Sequence, residues 1–315
     1  MSEKDPSVQT KFVDVSEGPR HSLGITDDGK VYSWGSTRSS NNLGQLGRDT
    51  SKNKKKVTRP SPVEPFNDND LKAEKVFVSN SIQKDSGHSA ILDKNGRLWM
   101  TGCDRWQQLG LGSVNGGSAG YTWEGGRLWQ DKFVLSESIS TEIEKSQQQP
   151  KKIEMGPSSD GNSTRQNSNH TIARTGPIIR DVALGADHTL VLSSNQKDVF
   201  AFGKCGDGQC GFIGKPYVSA PRRSKLLSST SKGEKSGSKE LDNDRNSGYI
   251  AAVCAIESCS ITLDDEGKVM EQVGKCTPTS NSASMSSSSV ITASALSDGI
   301  KKCIRNAKLH GLINQ

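Results

Sequence analysis

Four segments of this chain replay one short pattern: HSLGITDDGKVYSWG from His21, HSAILDKNGRLWMTG from His88, HTLVLSSNQKDVFAFG from His188 and CSITLDDEGKVMEQVG from Cys259. Each copy has too few apolar residues to bury a face by itself, so the copies must pack on one another. Any fold available to the chain has to stack them.

Within a copy the pattern is that of a β-hairpin. Leu23 and Ile25 alternate with small or polar neighbours, Asp27-Asp28-Gly29 interrupts, and Val31 to Trp34 resumes the alternation. Asn95-Gly96 and Glu266-Gly267 interrupt the second and fourth copies in the same place, where a tight hairpin turn needs positive φ. The third copy lacks the turn glycine between Ser193 and Asp198, and a looser turn is expected there. A second punctuation follows: Gly35 leads to Gly44 and Gly47, Gly102 to Gly110, and Gly203 to Gly208 and Gly211, while after Gly274 this element is lost. One further strand precedes each hairpin, at Phe12 to Val15, Val76 to Val78, Ile179 to Leu184 and Ile250 to Val253, and Val63 and Phe66 offer a fourth in the first copy. Units of three or four antiparallel strands at this long period predict an all-β, propeller-like array of about four blades.

The order G-x-x-H-S-x-x-x-T-x-D-G-x-V-Y-S-W-G followed by G-Q-L-G, over Gly18 to Gly47, resembles the regulator of chromosome condensation repeat family. The second copy matches over Gly87 to Gly112, the third over Gly185 to Gly211, and the fourth over its hairpin. The resemblance implies a β-propeller, usually of seven blades, used as a protein-binding platform; its best-known members are exchange factors for small GTPases. About four blades are visible here, so an incomplete or open propeller is expected, because closure is what protects sheet edges.

The repeat domain is expected over 1–277, with blades at about 11–66, 75–135, 178–221 and 249–277. The stretches 136–176 and 222–248 are polar inserts too poor in apolar residues to repay the entropy of ordering. A serine-rich linker at 278–296 leads to a basic tail, 297–315, where Ile300, Cys303, Ile304 and Ala307 follow the spacing of a short amphipathic helix. Such a helix would ordinarily dock over an exposed blade edge.

Hydrophobic residues make up 31% of the chain and no long apolar run occurs, so a membrane span is not expected. The opening residues carry acids instead of an apolar stretch, and the seven cysteines form no dense framework, which fits free thiols in an intracellular protein, cytoplasmic or nuclear.

His21, His88 and His188 occupy one repeat position, so they are spread one per blade and cannot converge as ligands or catalysts. Their expected role is structural, as is that of Trp34 and the repeat glycines. No metal site, cofactor site or active site is expected, and the chain reads as a non-enzymatic interaction scaffold. Regulation of a small GTPase is the alternative, although Phe212 to Pro216, the nearest position to an exchange wedge, does not match one. Association with nucleic acid or chromatin ranks third and rests on charge, a net +6 with Lys54, Lys55 and Lys56 clustered together. Tyr121, Trp123 and Trp129, the densest aromatics, are expected in an extra hairpin and are candidate anchors for a protein partner.

Overall fold

The computed structural model describes residues 10–36, 40–50, 57–68, 70–83, 86–111, 121–124, 127–147, 178–229, 248–276 and 293–314. The first sheet runs in chain order through β1 (Phe12–Glu17), β2 (His21–Thr26), β3 (Val31–Gly35) and the short β4 (Ser61–Pro62). The second holds β5 (Ala73–Val78), β6 (His88–Asp93) and β7 (Leu98–Cys103), then a hairpin of β8 (Tyr121–Glu124) and β9 (Arg127–Leu135) in which β9 pairs with β7. Helix α1 (Glu137–Gln147) follows. The third sheet is β10 (Ile179–Leu184), β11 (His188–Ser193), β12 (Val199–Lys204) and β13 (Tyr217–Arg223). The fourth is β14 (Ala252–Ile256), β15 (Cys259–Leu263) and β16 (Val269–Gly274), and helix α2 (Ala293–Leu309) ends the chain's described structure. All neighbouring strands are antiparallel, giving four blades in sequence.

Two features of the repeat have direct backbone causes. Gly29, Gly96 and Gly267 hold φ of +79°, +75° and +79° at the hairpin turns. The third copy starts its turn in the same way, with Gln196 at φ +59° donating its N–H to the Ser193 carbonyl as Gly96 does to Asp93, but closes it one residue later, the Ser193 N–H donating to the Asp198 carbonyl where that of Asp93 donates to Arg97. The strain of a side chain in that region is outweighed by pairing of the flanking strands. At the end of the third strand of the second and third blades the chain passes so close to the start of the second strand that a Cβ on Gly102 would lie 2.6 Å from the His88 Cα, and one on Gly203 2.5 Å from the Asp187 carbonyl oxygen.

The cores lie between blades. Leu23, Ile25 and Val31 of the first blade pack with Val76, Val78, Ile91 and Phe133 of the second, and Val63 and Phe66 complete this cluster. A larger cluster joins the second, third and fourth blades through Leu92, Met100, Leu190, Phe202 and Val253. Helix α1 begins the stretch that composition places in a structureless insert; its Ile139 and Ile143, one turn apart, are fully buried in that cluster, which repays the ordering of an otherwise polar segment. The rest of that insert, most of the second and the linker as far as residue 292 lie outside the described residues, and the last four residues of the expected linker belong to α2.

Helix α2 occupies the space between the last blade and the first. Ala307, Leu312 and Ile313, with Ile300, Cys303 and Ile304, cover Cys254, Ile256, Ile261 and Leu263 of the fourth blade. Its other side meets β1, where the Lys302 ammonium donates to the Glu17 carbonyl and His310 Nε2 lies 3.1 Å from the Asp14 carboxylate. The helix runs longer than its apolar spacing alone suggests, and it docks on a blade as expected. Four of the seven cysteines are paired, Cys254 with Cys303 and Cys259 with Cys276, while Cys103, Cys205 and Cys210 form no disulfide and are buried. Free thiols throughout were the expectation; spacing could not reveal that α2 would bring Cys303 within 6.0 Å, Cα to Cα, of Cys254.

Candidate interaction surfaces

The repeated histidines tie each blade to the next. His21 Nε2 lies 2.7 Å from Ser89 Oγ, His88 Nε2 2.9 Å from Thr189 Oγ1, and His188 Nε2 2.8 Å from Ser260 Oγ. Each partner is the residue immediately after the equivalent strand-start position of the following blade. Ser89 Oγ donates its proton to the Gln45 carbonyl at 2.7 Å, and Thr189 Oγ1 donates to the Gln108 carbonyl at 2.7 Å. With that proton spent, each hydroxyl accepts from the imidazole, so His21 and His88 carry hydrogen on Nε2. Burial lowers the pKa of all three imidazoles to about 3, assisted by Arg20 at His21, by the neighbouring histidines at His88 and by Lys204 at His188. They are neutral clamps. Cys259, where the fourth blade would have its histidine, is bonded to Cys276 instead.

The other repeat residues make contacts within and between blades. Trp34 stacks on Phe12 with centroids 5.4 Å apart, and Gly44 and Gly47 lie against Gln130 and Phe133 of the second blade as Gly110 lies against Phe202 of the third. Gly208 approaches Gly274, Gly211 lies beside Ser224, and Gly35 beside Ser40. Asp93 is fully buried and accepts from the N–H groups of Asn95 and Arg97, the Arg97 guanidinium and the Trp99 indole, a carboxylate occupied entirely in holding its own hairpin.

The inner strands β1, β5, β10 and β14 and helix α2 surround a cavity of about 90 Å³. Asp181 lines it and accepts from the N–H groups of Val182 and Val253; burial raises its pKa to about 6. Among the described residues no cluster of His, Cys, Asp and Glu could hold a metal ion, and no helix is long and apolar enough to cross a membrane.

Of the candidate partner-binding residues, Trp129 is half-buried on β9, opposite Cys103. Tyr121 and Trp123 belong to β8, the outermost strand of the second blade, so the extra hairpin is present and extends the blade edge. Lys54, Lys55 and Lys56 lie outside the described residues. The sequence reading missed Ile82 and took in Ile213 only as part of Phe212 to Pro216; both side chains are exposed. Ile82 is held by Glu257 of the fourth blade, whose carboxylate accepts from the Ile82 N–H, the Ser81 hydroxyl and the Gln83 amide. An isolated isoleucine in a polar stretch carries no sequence signal for this; the distant Glu257 makes it a fixed feature.

A family model described as the regulator of chromosome condensation repeat matches residues 28–82. Residues 28–82 are thus similar to that repeat. Over 225 residues the chain is 28% identical to a Xenopus laevis protein RCC2 homolog, covering 70% of the chain and 36% of that protein. It is 33% identical over 138 residues to the regulator of chromosome condensation of Mus musculus, covering 42% of the chain and 28% of the relative. The chain therefore spans about a third of the length of the curated relatives it matches. Among solved structures, Prp20p from Saccharomyces cerevisiae, described together with its binding properties to Gsp1p and histones, superposes with a TM-score of 0.50 at 18% identity, over 86% of this chain and 47% of Prp20p. That likeness shows the propeller fold.

Proposed function

We propose that this repeat protein is a non-enzymatic scaffold that binds another protein through the loops and rim of its blades. The observation that supports this most directly is how its chemical groups are used. The three repeat histidines are buried clamps and Asp93 is consumed by its hairpin, whereas apolar Ile82 and Ile213 are presented to solvent on ordered loops. An apolar tip held in place, as Glu257 holds Ile82, contributes contact area without a large ordering cost. Pull-down with the intact chain is expected to recover a stoichiometric partner whose retention falls when Ile82→Asp and Ile213→Asp are combined; equal recovery by wild type and the double variant would refute a loop-mediated scaffold.

The second reading is regulation of a small GTPase, favoured by the likeness to Prp20p, which is described with Gsp1p. The segment best placed for it is the loop from Phe212 to Pro216, whose Ile213 projects from the third blade. In that case micromolar protein accelerates release of labelled nucleotide from a small GTPase, and Ile213→Asp removes the acceleration; an unchanged release rate across a GTPase panel excludes exchange activity.

A further inference from the structure

Helix α1 and the outermost strand of the third blade, β13, form the two walls of an open groove of about 680 Å³. The helix packs against β13 with Ile139 and Ile143 buried, and Glu142, Lys145 and Ser146 line the groove from its side. β13 ends its sheet, and its backbone there is not that of a plain strand. Lys204 gives its N–H inward to the Asp187 carbonyl, so Tyr217, which stands opposite Lys204, directs its own N–H and C=O outward. Arg223 does the same at the other end, because the Ser224 N–H beside it is taken inward by the Val199 carbonyl. Between these two points the register slips: Ser219, Ala220 and Pro221 stand opposite the single residue Phe202, and Pro221 has no N–H to give. Such an edge does not accept a long regular strand, which argues against edge pairing with a second copy. It suits a short segment held mainly by side chains.

The charges say which segment. Lys145, Lys215, Arg222 and Arg223 line the groove against the one carboxylate of Glu142. Lys145 is engaged by Glu142 at 2.8 Å and Arg223 by Asp198, whereas Lys215 and Arg222 are exposed and form no ion pair among the described residues. Tyr217, 46% exposed, and the exposed Ala220 lie between them in the strand. We propose that this groove binds a short, extended, acidic segment of a partner protein, with carboxylates on Lys215 and Arg222 and an apolar side chain against Tyr217. The proposal deepens the scaffold reading and rests on it. Lys215 and Arg222 are about 20 Å apart along the strand, so the carboxylates they take stand about six residues apart in an extended peptide. Nucleic acid carries the same sign of charge, but two uncommitted cations beside the Glu142 carboxylate offer a phosphate chain few partners, and the outward backbone groups and the Tyr217 ring match a peptide better.

Fluorescence anisotropy with a fluorescein-labelled peptide, four glutamates on each side of one phenylalanine, tests this on the intact chain. Saturable binding is expected, weakened about tenfold or more by Lys215→Glu with Arg222→Glu and weakened by added salt. Both side chains are exposed, so the double variant keeps its fold, verified by an unchanged thermal melt. Lys94→Glu with Lys268→Glu makes the same change of net charge at exposed residues of two hairpin turns and should leave binding intact. No binding by the wild-type chain, equal binding of a peptide with glutamine in place of glutamate, or equal weakening by the two double variants overturns the proposal. So does a single-stranded oligonucleotide that binds more tightly than the peptide and is lost with Lys215→Glu and Arg222→Glu, since the groove then takes phosphates. Peptide binding that appears only once residues 230–247 are deleted overturns it as well, because the occupant is then the chain itself. The pull-down with Ile82→Asp and Ile213→Asp uses neither this groove nor this peptide, so failure here and failure of the scaffold reading are separate results.

Discussion

Lowering the pH should loosen the blades from one another, and the size of the effect follows from the three clamps. His21, His88 and His188 ionise at about 3 in the folded protein against 6.5 for an ordinary histidine, with burial the main cause at each. A base whose folded pKa is depressed gives stability that is complete above the unfolded value and is lost as pH falls from there toward the folded one, because the unfolded chain binds the proton first. Between about pH 7 and about pH 5.5 each histidine forfeits about 1.2 kcal/mol, a figure set by the unfolded pKa and insensitive to how far below 5 the folded value lies. Three clamps lose about 4 kcal/mol together. Asp181 acts in the opposite direction: with its folded pKa raised to about 6 by burial, it binds a proton in the native state over the same window and returns about 0.8 kcal/mol. The net loss of about 3 kcal/mol is a large share of a typical domain's 5–15 kcal/mol. Urea unfolding followed by tryptophan fluorescence at the two pH values measures it. The decisive comparison is His88→Gln, which keeps an N–H donor near Thr189 and has no proton to take up. Its loss between the two pH values should be smaller by about 1.2 kcal/mol. An identical pH dependence in wild type and variant would refute the assignment of His88 as a buried neutral clamp.

Gly102→Val forces side-chain atoms into the His88 backbone and is expected to cost more than about 3 kcal/mol, read as loss of the cooperative urea transition. Gln196→Gly relieves a left-handed residue and should stabilise by up to about 1 kcal/mol in thermal melts, with no gain if the turn is not held as described. Thiol titration of non-reduced protein should detect Cys103, Cys205 and Cys210 only after denaturation, because all three are buried and burial pushes the Cys103 thiol up to about 11; seven reactive thiols would refute both disulfides.

The hairpins were readable because their causes are local. Alternation over Leu23 to Ile25 and Val31 to Trp34, broken by a turn glycine, produces β2 and β3 wherever the pair sits. The leading strands followed from short apolar runs, although β14 begins two residues later than its run. The exposed loop tip at Ile82 was not readable, since the carboxylate that fixes it lies on another blade. Helix α1 was missed for a related reason: two isoleucines in a polar stretch mean nothing until a neighbouring blade offers them a surface. The spread of the histidines, one per blade, was legible from their spacing, but their partners on the next blade were invisible.

By itself the sequence determined the blade as a unit, the order of the copies and the separation of their histidines, because turn chemistry and strand alternation act within a few residues. Only the tertiary structure decided what those histidines hold and that α2 covers the last blade. Those outcomes depend on which surfaces meet across long stretches of chain. Burial there sets both the imidazole pKa and the energy of each contact.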